Sequence, residues 1–140
     1  LKIVKEIEKE IEYTKCNIIF THHHNDLNID HRFAYDATIT AARPFKESTV
    51  NSIYSFEAIS STDWRQPYSF KPNMFIDISK ELPVKIKSLE KYKNEIRKFP
   101  HPRSKEALEA NAIRWGSLYG YNAAEPFEIV FTRSKNFPLT

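Results

Sequence analysis

The residues best suited to chemistry lie together in one short stretch of the chain. Residues 21–32 read THHHNDLNIDHR, which places four histidines and two aspartates within residues 22–32. Imidazole and carboxylate groups are ligands that suit zinc and other divalent first-row metals. This stretch therefore predicts a metal-binding or catalytic site.

The neighbouring elements position this stretch at the edge of a sheet. Residues 17–21 form a short, nearly continuous apolar run that is typical of a buried parallel strand. Helical spacing follows over residues 29–42 and ends before Pro44. Because ligands in open α/β sheets bind at the carboxyl ends of strands, the position agrees with the composition.

Within the stretch, His31 is the best candidate for a metal ligand, since it starts a helix that faces back toward the strand end. Asp30 directly before it would be a partner of the metal-binding imidazole or a group at the reacting centre. Asn28 or Asp30 would also cap the helix. The consecutive histidines 22–24 are either a solvated loop or further ligands.

The remaining chain alternates helices and strands, which predicts an α/β architecture. Ser104 is suited to cap a helix and Gly120 to end it. The sheet is expected to continue in residues outside this sequence. Helices are predicted over residues 1–13, 29–42, 82–97 and 105–119, and strands over residues 17–21, 52–59, 74–78 and 126–132.

Composition excludes several classes of protein. The 140 residues suit one domain or a large piece of one, and no apolar run approaches the ~20 residues of a membrane span. Two glycines exclude a glycine-rich phosphate loop, and one cysteine, Cys16, excludes an intrachain disulfide framework and favours a cytoplasmic location. The net charge of +3 is scattered, with no basic stripe for nucleic acid.

Five ordered motifs resemble those of one enzyme family. The run DLNIDHR at 26–32 looks like the second motif of the LmbE/PIG-L family of zinc-dependent N-deacetylases. The likeness continues along essentially the whole chain with SSTDW at 60–64, FKPN at 70–73, HPRS at 101–104 and AAEPFE at 123–128.

This resemblance implies a Rossmann-like α/β fold of the LmbE type, a three-layer sandwich, with one catalytic zinc. His31 matches a family metal ligand. The other ligands, a His and an Asp, and the general base belong to an N-terminal His-Pro-Asp-Asp motif that this sequence lacks; its one His-Pro pair is followed by Arg103. The expectation is that residues 1–140 are the C-terminal part of a single deacetylase domain in a truncated sequence, inactive alone.

The resemblance also suggests roles for the other motif residues. Some family members have a second histidine, thought to polarise the reacting carbonyl, where this chain has Asn28. Either Asn28 takes a weaker version of this role or a nearby histidine such as His24 supplies it. With Asp30, these are the predicted catalytic residues.

A second group of residues is predicted to contact substrate, and each of them except Asp26 also has a structural alternative. Trp64 would stack on a sugar or lie in the core, and Arg32 would bind a phosphate or pair with a carboxylate. His101 and Arg103 would meet an anionic group or make capping and surface contacts. Glu125 would line the pocket or form a buried pair with a nearby arginine. The full predicted set is Asp26, Arg32, Trp64, His101, Arg103 and Glu125.

The predicted activity is hydrolysis of the N-acetyl group of an N-acetylglucosamine-type sugar or conjugate by attack of zinc-bound water. The alternative is a non-catalytic metal- or sugar-binding module that retains half of the deacetylase fold. The expected partner is a small amino-sugar substrate, without nucleic acid or a membrane span. The sequence leaves open the choice of zinc or iron and the presence of a homo-oligomer.

Overall fold

The structure, a computed structural model, describes residues 2–135. These residues have a mixed α/β fold in which hydrogen bonding links four strands in the order β1-β2-β4-β3. The chain divides into two compact units. The first unit contains the residues on either side of residues 72–127, and residues 72–127 form the second unit. The elements are α1 Lys2–Thr14, β1 Ile18–His22, α2 Ile29–Ala41, β2 Ser52–Phe56, β3 Met74–Asp77, α3 Leu82–Lys91, α4 Lys105–Tyr119 and β4 Ala124–Thr132.

The first unit is built on a parallel pair of strands. β1 runs parallel to β2 with Ile18 opposite Ser52 and His22 opposite Phe56. The second half of β4 runs antiparallel to β2 and places Glu128 opposite Ser55. Since parallel strands end at the same edge, the loops after β1 and β2 meet there, beside Glu128.

A small apolar cluster holds this unit together. Ala42, Val50 and Ile53 are almost completely buried. Burying each of the two larger side chains stabilises the fold by about 1.5–3 kcal/mol. The side chains that pack against them come from α1, the loop after α1, α2 and the strands: Ile11, Cys16, Ile19, Ile39, Val130 and Phe131.

The second unit pairs β3 with the first half of β4 in antiparallel register, from Met74 opposite Phe127 to Asp77 opposite Ala124. Phe75 of β3 stacks on Tyr119 of α4 with ring centroids 3.6 Å apart. The predicted helix over residues 105–119 is confirmed, because Ser104 accepts a hydrogen bond from the Ala107 N–H and Gly120 takes a left-handed conformation with φ of 80°.

Two predicted elements end earlier than expected. α3 stops at Lys91 because Tyr92 leaves helical dihedral angles, and its carbonyl then accepts hydrogen bonds from Glu95 and Ile96 in a separate turn. β2 stops at Phe56 because the Ala58 carbonyl accepts from the N–H groups of Ser61 and Thr62. In both cases the apolar pattern continues through a turn, so the pattern alone overestimates the element.

Gly116 is the position at which a small residue matters most in α4. A Cβ atom there would lie 2.7 Å from backbone atoms of Ala123 and Tyr121. We expect Gly116→Ala to lower the free energy of unfolding by about 1–3 kcal/mol through overpacking. Chemical denaturation would measure the change, with the exposed Ser117→Ala as a control that stays within about 0.5 kcal/mol. Equal effects of the two substitutions would contradict the packing assigned to Gly116.

Candidate functional site

The chemistry-bearing stretch lies where β1 ends, as the sequence predicts. β1 includes His22, and α2 begins after Asn28. The Asn28 side chain accepts a hydrogen bond from the Asp30 N–H at 2.9 Å, which confirms it as the helix cap. The loop between β1 and α2 therefore starts at a paired strand and ends at a capped helix.

Asp26 is the anchor of this loop. Its side chain is completely buried. Oδ1 accepts hydrogen bonds from the Ser61 hydroxyl and, at 2.8 Å, from the Asn28 N–H, while Oδ2 accepts from the Thr62 hydroxyl at 2.5 Å. The carboxylate thus joins the loop after β1 to the loop after β2.

These contacts keep Asp26 ionised. Burial would raise the pKa of Asp26, but the hydrogen bonds from Ser61, Thr62 and Asn28 and the contact with His31 outweigh burial and lower the pKa below its ordinary value. A buried carboxylate that accepts several hydrogen bonds is stabilised in its charged form.

His31 faces this carboxylate. Its Nδ1 lies 3.1 Å from Asp26 Oδ1, and about a quarter of its side chain is exposed. His31 Nδ1 and the Asp26 carboxylate do not form a well-aligned hydrogen bond, so the attraction between them is mainly electrostatic. Because a nitrogen lone pair at this distance would be repelled by the carboxylate, Nδ1 carries the proton. Nε2 therefore keeps its lone pair.

His22 packs directly against His31. The two imidazoles stack with centroids 4.0 Å apart and planes inclined by 20°. Burial and then the His31 ring lower the pKa of His22, although Asp26 opposes the change. His22 is therefore neutral near neutral pH, and it fixes one face of the His31 ring.

His23 points to a different partner. It is completely buried, its Nδ1 accepts the Asn25 N–H at 3.2 Å, and its Nε2 lies 3.2 Å from Glu128 Oε2. Since Nδ1 accepts a hydrogen bond, Nε2 carries the proton and faces the carboxylate. His23 and His31 thus have opposite tautomers.

Glu128 is an ionised carboxylate at the same strand edge. Burial would raise its pKa, but the adjacent His23 imidazole and the Lys71 N–H, which donates to Oε1, outweigh burial and lower the pKa. His24 lies beside this group, with its ring 4.2 Å from that of His23 and 5.7 Å from that of Tyr35. Partial burial and then His23 lower the pKa of His24.

The other predicted residues of the first unit have structural contacts or exposed positions. Arg32 donates to the carbonyls of Asp26 at 2.5 Å and Leu27 at 2.9 Å. The carboxylate that contacts His31 is Asp26, while Asp30 is exposed in the first turn of α2. Trp64 is half exposed in the loop after β2.

Three predicted substrate-binding residues belong to the second unit. The His101 Nδ1 accepts the Arg103 N–H at 3.0 Å, and the Arg103 side chain pairs with Glu95. Glu125 pairs with Lys85 at 2.6 Å. These contacts correspond to the structural alternative for each residue, although the partner of Glu125 is a lysine.

Sequence reasoning did not assign roles to several residues that shape the site. Ser61 and Thr62 lie in the SSTDW motif, and Glu128 ends the AAEPFE motif. Only the register of β2 with β4 brings Glu128 to the strand edge. The sequence alone does not distinguish His22 from the next two histidines, whereas the alternation of side chains at the end of β1 directs His22 and His23 to different partners.

Comparisons with known proteins support the fold. No family model and no curated protein matches the chain. It is similar in structure to the conserved protein TT1542 from Thermus thermophilus, with 16% identity and a TM-score of 0.73 over 99% of this chain and 62% of that one. GalB, the 4-carboxy-2-hydroxymuconate hydratase from Pseudomonas putida KT2440, has 17% identity and a TM-score of 0.71 over 96% of this chain and 60% of its own. The chain therefore spans under two thirds of the length of these proteins and shares their fold.

The structure also bears on the membrane prediction. Among the helices of residues 2–135, none combines the length and apolar character required to cross a bilayer.

The buried position of Asp26 predicts a large effect on stability. Asp26→Ala would leave the Ser61 and Thr62 hydroxyls and the Asn28 N–H without their acceptor, and we expect the free energy of unfolding to fall by about 3 kcal/mol. Urea denaturation would measure this, with the exposed Asp36→Ala as the matched control in α2. Similar small losses in both variants would show that Asp26 does not anchor the loops.

The lowered pKa of Asp26 predicts a pH dependence with a definite sign. A folded-state pKa below the unfolded value of about 3.9 contributes stability that is full above that value and is lost as the pH falls through the folded pKa. The stability difference between the wild type and Asp26→Asn should therefore be constant near neutrality and shrink in acid. A difference that grows on acidification would have the wrong sign for this assignment.

Proposed function

We propose that this chain is the C-terminal part of a metal-dependent hydrolase that removes the N-acetyl group from an N-acetylglucosamine-type sugar or conjugate. The observation that carries the proposal is the Asp26–His31 pair at the carboxyl end of β1. The five ordered motifs add the resemblance to zinc-dependent N-deacetylases. The activity and substrate are those of a longer polypeptide.

The residues present fit a zinc ligand. A metal-binding histidine usually donates its other ring N–H to a carboxylate, which fixes the tautomer and raises the basicity of the free nitrogen. The Asp26 carboxylate faces Nδ1 of His31 at 3.1 Å and favours the tautomer protonated there, and the exposed quarter of the side chain gives access from solvent. His31 would therefore hold the ion through Nε2, and the remaining ligands would come from the His-Pro-Asp-Asp motif that the resemblance implies.

Zinc in such a site supplies a bound water with a pKa of about 7 and polarises the amide carbonyl. The residues of this chain prepare the site. Asp26 keeps a proton on His31 Nδ1, and His22 restricts the ring by stacking. Asn28 has its side-chain oxygen occupied as the helix cap, so it contributes to the site mainly by fixing the start of α2.

The loop after β2 offers a surface for the sugar. Asp26 binds two residues of this loop, Ser61 and Thr62, and so fixes the segment that carries Trp64. The indole is half exposed, and such a ring suits stacking on the apolar face of a pyranose. Substrate contact is proposed for Trp64 on this basis.

The proposal predicts metal-dependent release of acetate from N-acetylglucosamine conjugates by the complete polypeptide. Chelation should abolish the release and zinc should restore it. We expect His31→Ala to be inactive and Asp26→Asn to bind zinc about 10–100-fold more weakly, because the support of the ligand is lost. An acetate assay with zinc titration would measure both effects, and the exposed Lys87→Ala serves as a control.

Full activity in His31→Ala would contradict the ligand assignment. Zinc binding without acetate release would instead favour the binding-module alternative.

A further inference from the structure

A second group of ligand-bearing side chains lies at the same strand edge. Within residues 2–135, His23, His24 and Glu128 form a set in which the candidate ligand atoms all lie within 4.8 Å of one another. None of these residues belongs to the Asp26–His31 pair. We propose that Glu128 and His24 bind a divalent transition-metal ion, with His23 holding Glu128 in place.

The Glu128 carboxylate is largely buried and held in one orientation, as a metal ligand would be. Its side chain is only 18% exposed, Oε1 accepts the Lys71 N–H, and Oε2 lies 3.2 Å from His23 Nε2. In the described part of the chain, no lysine or arginine side chain pairs with it. A largely buried negative charge without a cationic side chain is stabilised by a bound cation.

His23 acts as the positioning residue. Its Nδ1 accepts the Asn25 N–H, so Nε2–H points at Glu128 and is not free to coordinate an ion. Nε2 is completely buried, and within residues 2–135 it contacts the Glu128 carboxylate electrostatically, without hydrogen-bond geometry. Ligating carboxylates are commonly fixed by such an outer donor.

His24 supplies the second ligand. It is exposed near the start of the loop after β1, and its ring packs beside His23 and Tyr35. Ligand atoms on one ion lie at most about 4 Å apart, because zinc–nitrogen and zinc–oxygen bonds are about 2.0–2.2 Å. A small rotation of the exposed His24 side chain closes a separation of up to 4.8 Å. Water molecules would complete the coordination.

An imidazole and a carboxylate together suit zinc, cobalt or nickel better than calcium or magnesium. The site would therefore bind zinc or cobalt from solution independently of the hydrolytic site. It does not require the proposed deacetylase activity.

The test titrates zinc by calorimetry, and cobalt by absorption, into the polypeptide that carries residues 1–140 with His31→Ala, so that a metal at His31 cannot contribute. We expect one saturable site, which Glu128→Gln and His24→Asn each remove. His101→Asn is the matched histidine control and should bind like the parent. Because His24 is exposed, His24→Asn tests the site even if Glu128→Gln disturbs folding.

The role of His23 has its own comparison. His23→Leu should weaken binding by about 10–100-fold, while His23→Gln, whose amide offers an N–H near the same place, should restore most of it. Absence of a saturable site in the His31→Ala background, or a site that survives both Glu128→Gln and His24→Asn, would overturn the proposal. Equal losses in the two His23 variants would overturn its positioning role.

Discussion

Burial of one carboxylate organises this end of the molecule. Asp26 has no exposed surface, yet it remains charged because two hydroxyls, a backbone N–H and an imidazole surround it. A buried charge is tolerated only when such partners satisfy it. The loops after β1 and β2 and the start of α2 must therefore keep the arrangement that supplies those partners, and this arrangement also places His31.

Two carboxylates of the site fix two histidines in opposite ways. Asp26 faces Nδ1 of His31 and leaves Nε2 free, whereas Glu128 faces Nε2 of His23, whose Nδ1 is already occupied by the Asn25 N–H. Residue type alone would treat both histidines as equal candidates for a metal. The hydrogen-bond partners separate a ring that can coordinate an ion from one that orients a carboxylate.

Local signals in the sequence predicted the elements that local contacts determine. The cap of α2 at Asn28 and both ends of α4 depend on neighbouring residues, and these predictions are confirmed. The partners of Asp26 lie 35 and 36 positions away, at Ser61 and Thr62, and they depend on the parallel pairing of β1 with β2. Short-range patterns carry no information on that pairing. The sequence therefore predicts the neighbouring Asp30 as the carboxylate beside His31, whereas the structure has Asp26 there. The α/β fold is confirmed, while its LmbE type and the deacetylase activity remain predictions, because similarity to solved structures at 16–17% identity establishes only the fold.

The site depends on a proton at Nδ1 of His31, where the ring faces the Asp26 carboxylate. Long-range ¹H–¹⁵N NMR of the imidazole rings distinguishes a proton on Nδ1 from a proton on Nε2 directly. The structure predicts the Nδ1–H tautomer for His31 and the Nε2–H tautomer for His23. A His31 ring protonated at Nε2 would leave no lone pair for an ion and would contradict the account.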